Sequence, residues 1–231
     1  MAVAHAESKP RYQLKPGPYS SHTLLLARFP DRGEGRRVLD VGCAAGYLSE
    51  RLVERGFRVT CIDWPGTPHP PTVEFSGADL DNGLGPVGGQ FDFIICADVL
   101  EHLRDPLRLL HEIRGRLAPG GTLLASLPNS GHWYFRVNVL MGRFPQHEHG
   151  LFDSTHLHFY PWSGWVELFG RAGLRIRSVD PTTVPFGLAL PRWDGTFLVR
   201  ALESLSIACA RVWKTLFAYQ FVVSIRAEDT Q

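Results

Sequence analysis

Residues 38–52 read VLDVGCAAGYLSERL. Val38–Val41 is apolar on both faces apart from the carboxylate of Asp40, as expected for a strand at the centre of a parallel sheet. Gly42 and Gly46 bracket a tight turn. From Tyr47 onward, Leu48, Leu52 and Val53 fall on one helical face, and Gly56 ends the pattern. A strand, a glycine turn and a helix in that order place backbone N–H groups and a positive helix end at the carboxyl edge of a sheet. Glycines there let a ligand approach the main chain closely. In open α/β sheets the ligand crevice lies at this edge, where the strand order reverses. The location alone predicts a bound small molecule.

The rest of the chain continues the alternation. Before the turn, SSHTLLLARF (20–29) is a short helix capped by Ser20 or Ser21. After it, FRVTCID (57–63) is a second strand, and WPGTPHPPT (64–72) is too proline-rich for a helix or central strand. VEFSGADL (73–80) reads as a short third strand and FDFIICAD (91–98) as a fourth. DPLRLLHEIRGRL (105–117) is an amphipathic helix stopped by APGG, and GTLLASLPN (121–129) is a fifth strand. WSGWVELFGRAG (162–173) is a helix capped by Ser163, and LRIRSVDP (174–181) a sixth strand. A long apolar stripe from Phe197 to Leu216 is helical, and YQFVVSIRA (219–227) is a seventh strand. Strands alternating with helices predict an α/β fold with a parallel sheet and helices on both faces. The whole chain, 1–231, reads as one domain. Residues 1–18 form a loose N-terminal arm. Residues 131–162, aromatic and histidine-rich, are an insertion after strand five of the kind that serves as a lid or binding segment.

With 231 residues, 44% of them hydrophobic, the chain can bury a full core. Its 24 basic and 23 acidic residues nearly cancel, which argues against capture of nucleic acid. The four cysteines stand far apart with no CxxC pair, so buried thiols in a reducing compartment are expected rather than zinc or disulfides. There is no signal-peptide pattern and no apolar run long enough to span a membrane, so a cytoplasmic protein is expected.

The glycine spacing narrows the ligand. The dinucleotide fingerprint G-x-G-x-x-G is absent: from Gly42 the residues are G-C-A-A-G-Y. D-V-G-C-A-A-G resembles motif I of the class I S-adenosylmethionine (SAM) dependent methyltransferases, written [DE]-x-G-x-G-x-G, with Ala44 in place of one glycine. SAM carries no phosphate, so carboxylates near the turn are compatible with it where they would repel a pyrophosphate. An alanine methyl at position 44 is tolerated if its φ is negative, with retained but weaker binding expected. Other landmarks follow in order: Asp63 and Trp64 at the end of strand two, G-A-D-L with Asp79 and Leu80, the F-D-F-I-I-C-A-D-V-L-E-H region, and L-A-P-G-G-T after the next helix. The resemblance spans residues 35–130 and extends more weakly to the C-terminus, and it implies a Rossmann-like seven-stranded mixed sheet, six parallel strands plus an antiparallel seventh, flanked by helices.

The resemblance implies a cofactor site of Asp40, Gly42, Cys43, Ala44, Gly46, Tyr47, Asp63, Trp64, Asp79, Leu80, Ala97 and Asp98. Asp40 would orient the ammonium of SAM, Asp63 the ribose hydroxyls, Trp64 the adenine face and Asp79 the adenine amine. Each has a plainer structural alternative: Asp40 as a strand-end cap, Asp63 and Asp79 as turn residues, Trp64 as core. The products would be a methylated acceptor and S-adenosyl-L-homocysteine (SAH).

Transfer to a hydroxyl needs an aligned nucleophile and a base. His102, near the end of strand four, and His156, in D-S-T-H-L-H-F, are the two candidate bases. Asp98, Glu101 and His102 also resemble the set that can hold a divalent metal in ubiquinone-pathway O-methyltransferases. A metal is admitted but not favoured. His147, His149, His156 and His158 form a second histidine group. Asp153, Thr155 and His156 also read as residues that tie down their own loop. Trp133, Tyr134, Phe135, Phe144, Phe152 and Phe159 suggest an aromatic wall suited to a small organic acceptor. The segment GLFDSTHLHFYPWSGWVELFGRAGL (150–174) resembles a stretch in the type 11/12 methyltransferase group, several members of which act on sugars, polyketides or quinone precursors. The expected reaction is O-methylation of a small molecule by a monomer or homodimer, without nucleic acid. N- or C-methylation, a protein or tRNA acceptor, and a non-catalytic SAM-binding module remain open alternatives. A nicotinamide dehydrogenase is disfavoured by the glycine spacing.

Overall fold

The computed structural model describes residues 17–186, 191–193 and 195–228. Residues 1–16, which make up most of the expected arm, lie outside that range. The elements in chain order are α1 (Ser21–Leu26), β1 (Arg37–Val41), α2 (Tyr47–Glu54), β2 (Arg58–Asp63), β3 (Glu74–Gly77), β4 (Phe91–Ala97), α3 (Pro106–Arg116) and β5 (Leu117–Pro128). There follow α4 (Trp133–Leu140), α5 (Trp162–Arg171), β6 (Leu174–Pro181), α6 (Phe197–Val212), α7 (Lys214–Phe217) and β7 (Gln220–Ala227). The seven strands lie in the order β3-β2-β1-β4-β5-β7-β6. β7 is antiparallel to both neighbours, and the remaining pairs are parallel. This is the mixed sheet expected from the sequence.

Period-two alternation sorts the strands between two cores. Leu39, Ile94 and Leu123 face one cluster with Leu109, Leu110 and Ile113 of α3 and Trp165, Leu168 and Phe169 of α5. Val38, Ile95 and Leu124 face the other, with Leu25 before the end of α1 and Leu48 and Leu52 of α2. The buried Trp165 indole donates to the Pro128 carbonyl at 2.9 Å, so no donor is stranded.

Caps set the helix starts. Ser20 accepts from the Thr23 N–H, and Asp105 accepts from Arg108 with Pro106 in the first turn. Three expectations need correction. The cap position of α5 is Pro161, and Ser163 lies inside the helix. β3 ends at Gly77 because Asp79 starts a tight 3-10 turn. The long C-terminal helix breaks at Trp213, which leaves helical geometry at φ −137° and ψ 77°. Cys43, Cys61 and Cys96 are buried free thiols, and Cys209 is half-buried. Among the described residues no helix is long and apolar enough to cross a membrane.

The strand order reverses between β1 and β4. There the turn after β1 meets the segment after β4 so closely that a Cβ on Gly42 would lie 2.5 Å from Val99 Cγ2.

Candidate active site at the carboxyl edge

Gly42, Ala44 and Gly46 all hold positive φ, at 73°, 49° and 74°. The expectation of a negative φ at Ala44 is therefore overturned: alanine adopts the left-handed conformation that a glycine would take. For an L-residue this costs about 1–2 kcal/mol. The Ala44 N–H donates to Asp63 Oδ2 at 2.7 Å. A hydrogen bond to a charged group contributes roughly 1.5–3 kcal/mol, enough to offset that strain. Asp63 Oδ1 accepts from the Trp64 N–H at 2.7 Å and, more loosely, from Thr67 Oγ1 at 3.3 Å. The end of β2 is thus tied to the turn after β1.

Asp40 is buried in β1 and accepts from Ser49 Oγ at 2.6 Å. Burial raises its pKa to about 6, opposed by the Ser49 bond and helped by the charge of Asp63. Cys43, beside it, is a buried thiol held protonated by its hydrogen bond with Cys61 and by burial. Tyr47 is half-buried at the start of α2. Pro70 lies against Gly46, where a Cβ would meet its Cδ at 2.5 Å, so the proline loop packs on the turn. Trp64 is 62% exposed, which rules out the core alternative.

Asp79 acts as a turn cap. Its Oδ1 accepts from the Asp81 N–H at 3.0 Å and its Oδ2 from Asn82 Nδ2 at 2.9 Å. Leu80 packs, partly buried, against the main core. Ala97 ends β4. Asp98 follows at φ 54°, and its Oδ1 accepts from Ser126 Oγ at 2.6 Å and Gln220 Nε2 at 2.9 Å. Aspartate tolerates this left-handed position better than most residues.

The two candidate bases come together. The His102 and His156 rings are 4.7 Å apart, edge to face. Loop 153–158 is fastened to the turn that carries His102: Leu157 and His158 N–H donate to the Glu101 carbonyl, and His158 Nε2 meets the Leu103 carbonyl at 2.9 Å. His102 Nδ1 lies 3.2 Å from the Thr155 carbonyl and 3.0 Å from Thr155 Oγ1. Thr155 Oγ1 donates to Asp153 Oδ1 at 2.6 Å, and the Thr155 N–H donates to the same atom at 2.8 Å. Burial raises the Asp153 pKa, but the Thr155 bonds and the two histidines outweigh it and hold the carboxyl below its ordinary range. His156 is pushed down to about 4, first by burial and then by His102.

Among the described residues, Glu101, His102 and His156 form a group whose ligand atoms lie within 4.8 Å of one another. This set differs from the candidate set Asp98, Glu101 and His102: Asp98 is not part of it, and its Oδ1 accepts from Ser126 and Gln220. His147 and His149 do not join it.

The aromatic wall assembles as a ring cluster. Phe135 stacks on Phe152 at 4.5 Å, and Phe144 lies edge-on to Phe152 and Phe159 at 5.3 and 5.2 Å. Tyr134 reaches the same cluster at 5.9 Å, with Trp133 beyond it. Two residues not singled out in the sequence join its edge. His132 caps α4 and is lowered to about 4 by burial; Tyr219, raised to about 12 by burial, lies edge-on to it. Gln220 and Ser126, which position Asp98, were also not singled out. Nothing in local spacing marks them, since Gln220 stands 122 residues from its partner.

A family model described as a methyltransferase domain matches residues 16–179. A ubiquinone biosynthesis O-methyltransferase of Cereibacter sphaeroides is 33% identical over 152 residues, covering 59% of this chain and 62% of that protein. The match thus spans less than two thirds of that relative. An S-adenosylmethionine dependent methyltransferase structure from Mesorhizobium loti shares the fold at TM-score 0.60 and 18% identity, over 90% of this chain and 98% of that one. A magnesium protoporphyrin IX methyltransferase from Synechocystis with bound SAH aligns at TM-score 0.54 and 17% identity, over 89% and 80%.

Proposed function

This chain belongs to the methyltransferase-domain family, and on that footing we propose that it transfers a methyl group from SAM to a hydroxyl oxygen of a small organic acceptor. The carrying observation is the bond between Ala44 N–H and the Asp63 carboxylate, which locks the Gly42–Gly46 turn, with its three left-handed positions, against the end of β2. Two carboxylates, Asp40 and Asp63, flank this turn. That donor and acceptor set fits a cationic, phosphate-free nucleoside and would repel a pyrophosphate. When bound, SAM supplies a methyl group already activated on a positive sulfur.

Within that site, Asp63 is the ribose ligand. A carboxylate offers about four lone-pair positions. The loose Thr67 contact, at 3.3 Å, is the one a diol would displace. Exposed Trp64 is free to cover the adenine face. Gly42, Cys43, Gly46 and Tyr47 shape the turn, and Leu80, Ala97 and Asp98 line its neighbouring loops.

The hydrogen bonds around Thr155 favour His102 as the base. The single Thr155 hydroxyl proton goes to Asp153. Towards His102, both the Thr155 hydroxyl and carbonyl oxygens are therefore acceptors, so Nδ1 carries the proton and Nε2 is the basic nitrogen. His102 takes the acceptor's proton, and the Asp153 anion steadies the resulting imidazolium through Thr155. His156, lowered to about 4, is too weak a base for this task. Residues 131–162 cover the acceptor side as a lid, with the phenylalanine cluster as its wall. A sugar, polyketide or quinone-like hydroxyl suits such a wall.

Titration calorimetry of SAM into wild type and Asp63→Ala tests the cofactor assignment. The variant is expected to bind at least tenfold more weakly; equal affinity would remove Asp63 from the site.

A further inference from the structure

At the amino ends of β1, β4 and β5, opposite the edge that carries the turn, lies an open groove of about 650 Å³. We propose that this groove binds a small polyanion, a molecule bearing two or more linked phosphates, through Arg177 and Arg226 with support from Arg28 and Arg36.

The floor of the groove is sheet. Thr122 of β5, Ser224 of β7 and Ser178 of β6 line it, where the same sheet face is apolar nearer the centre, at Leu124 and Val222. Hydroxyls replace a face that would otherwise need a covering helix. The walls supply four guanidiniums and one carboxylate, Asp92. Arg28 is paired with Asp180, and Asp92 accepts from the Arg37 N–H at 2.8 Å. Arg36 uses Nε and one Nη on the Gly33 and Arg32 carbonyls. Arg177 and Arg226 have no hydrogen-bond or ion-pair partner among the described residues.

The backbone brings Arg177 of the edge strand to the rim of the groove, where it also borders a smaller cavity beside Trp162 and Lys214. The β6–β7 register pairs Ile176 with Ile225 and then Ser178 with Ser224, so Arg177 is an extra residue on β6. Regular alternation would put Arg177 and Ser178 on opposite faces. The bulge lets both line the same groove. Guanidiniums with neighbouring hydroxyls form the donor set that recognises phosphoryl oxygens, because the planar fork can bind two at once. The volume suits a small molecule better than a single ion.

The test uses inorganic pyrophosphate as the probe, titrated calorimetrically into the full chain at fixed ionic strength. Inorganic phosphate and added chloride are run in parallel. Saturable pyrophosphate binding is expected, at least tenfold tighter than phosphate. The double variant Arg177→Ala, Arg226→Ala should weaken it at least tenfold, and Arg177→Lys, Arg226→Lys by an intermediate factor. SAM affinity, measured on the same samples, should stay unchanged in both variants, which reports their folding and separates this site from the carboxyl-edge site. No saturable heat in wild type, equal displacement by chloride at matched ionic strength, or equal affinity in the alanine double variant would overturn the proposal.

Discussion

Ala44 and Asp63, nineteen residues apart, are joined by a 2.7 Å bond from the alanine N–H to the aspartate carboxylate, while Ala44 sits at φ 49°. The alanine side chain contributes strain to this arrangement, and the N–H makes the contact. Ala44→Gly keeps the N–H and removes the left-handed cost of about 1–2 kcal/mol. Greater freedom of glycine in the unfolded chain takes back about 0.5–1 kcal/mol. The variant should therefore be more stable by about 0.5–1 kcal/mol, seen as a higher urea midpoint at unchanged slope. SAM affinity should be equal or higher.

Asp40 gives a pH signature. Its folded pKa is raised, to about 6, above an ordinary value of 3.8. The native state therefore holds its proton more tightly than the unfolded chain, so this group's stabilisation is full below pH 4 and is lost as pH rises through 6. Asp40→Asn removes that loss. Relative to wild type it should gain stability between pH 4 and 6, levelling off at roughly 2–3 kcal/mol from about 1.4 kcal/mol per pKa unit. Denaturant melts at several pH values read this difference; a flat difference across the window contradicts the buried ionisation.

His102 and His156 separate by role. With a panel of phenols, catechols and sugars as acceptors, His102→Ala should lower turnover by about 10²–10⁴ at saturating SAM. His156→Gln should retain turnover within about tenfold. The reverse pattern would move the base to His156. Activity that depends on a divalent ion and is lost to a chelator would instead favour the Glu101, His102 and His156 group as a metal centre.

Thr155→Val tests positioning. It keeps the backbone carbonyl beside His102 but loses the hydroxyl between Asp153 and His102. Turnover should fall about tenfold or more, and the acid limb of its pH profile should shift, while the SAM dissociation constant stays put. Rescue by Thr155→Ser is expected. An unchanged pH profile would make Thr155 a loop anchor alone.

The sheet was readable from the chain because the central strands β1, β2, β4 and β5 carry apolar runs that end at glycine, aspartate or proline, and the helices between them have one apolar face. Even the antiparallel seventh strand followed, through the resemblance. What was not readable depends on chain separation or on backbone angle. Ser163 resembles a cap, yet Pro161 occupies the cap position one residue before the helix begins. Ala44 reads as a residue of negative φ because alanine rarely takes any other. Only the fold reveals that Asp63 waits for its N–H. Thr155 and His102 stand 53 residues apart, so no spacing rule could pair them. Arg177 owes its direction to a bulge that sequence alternation does not mark.

The central claim is that the turn at Gly42–Gly46 serves a phosphate-free sulfonium nucleoside. Calorimetric titration of the wild-type chain with SAM, SAH and NADH tests it most directly. Saturable binding of SAM and SAH at near one-to-one stoichiometry, with no binding of NADH, is the predicted result. Saturable NADH binding with no heat from SAM or SAH would contradict it.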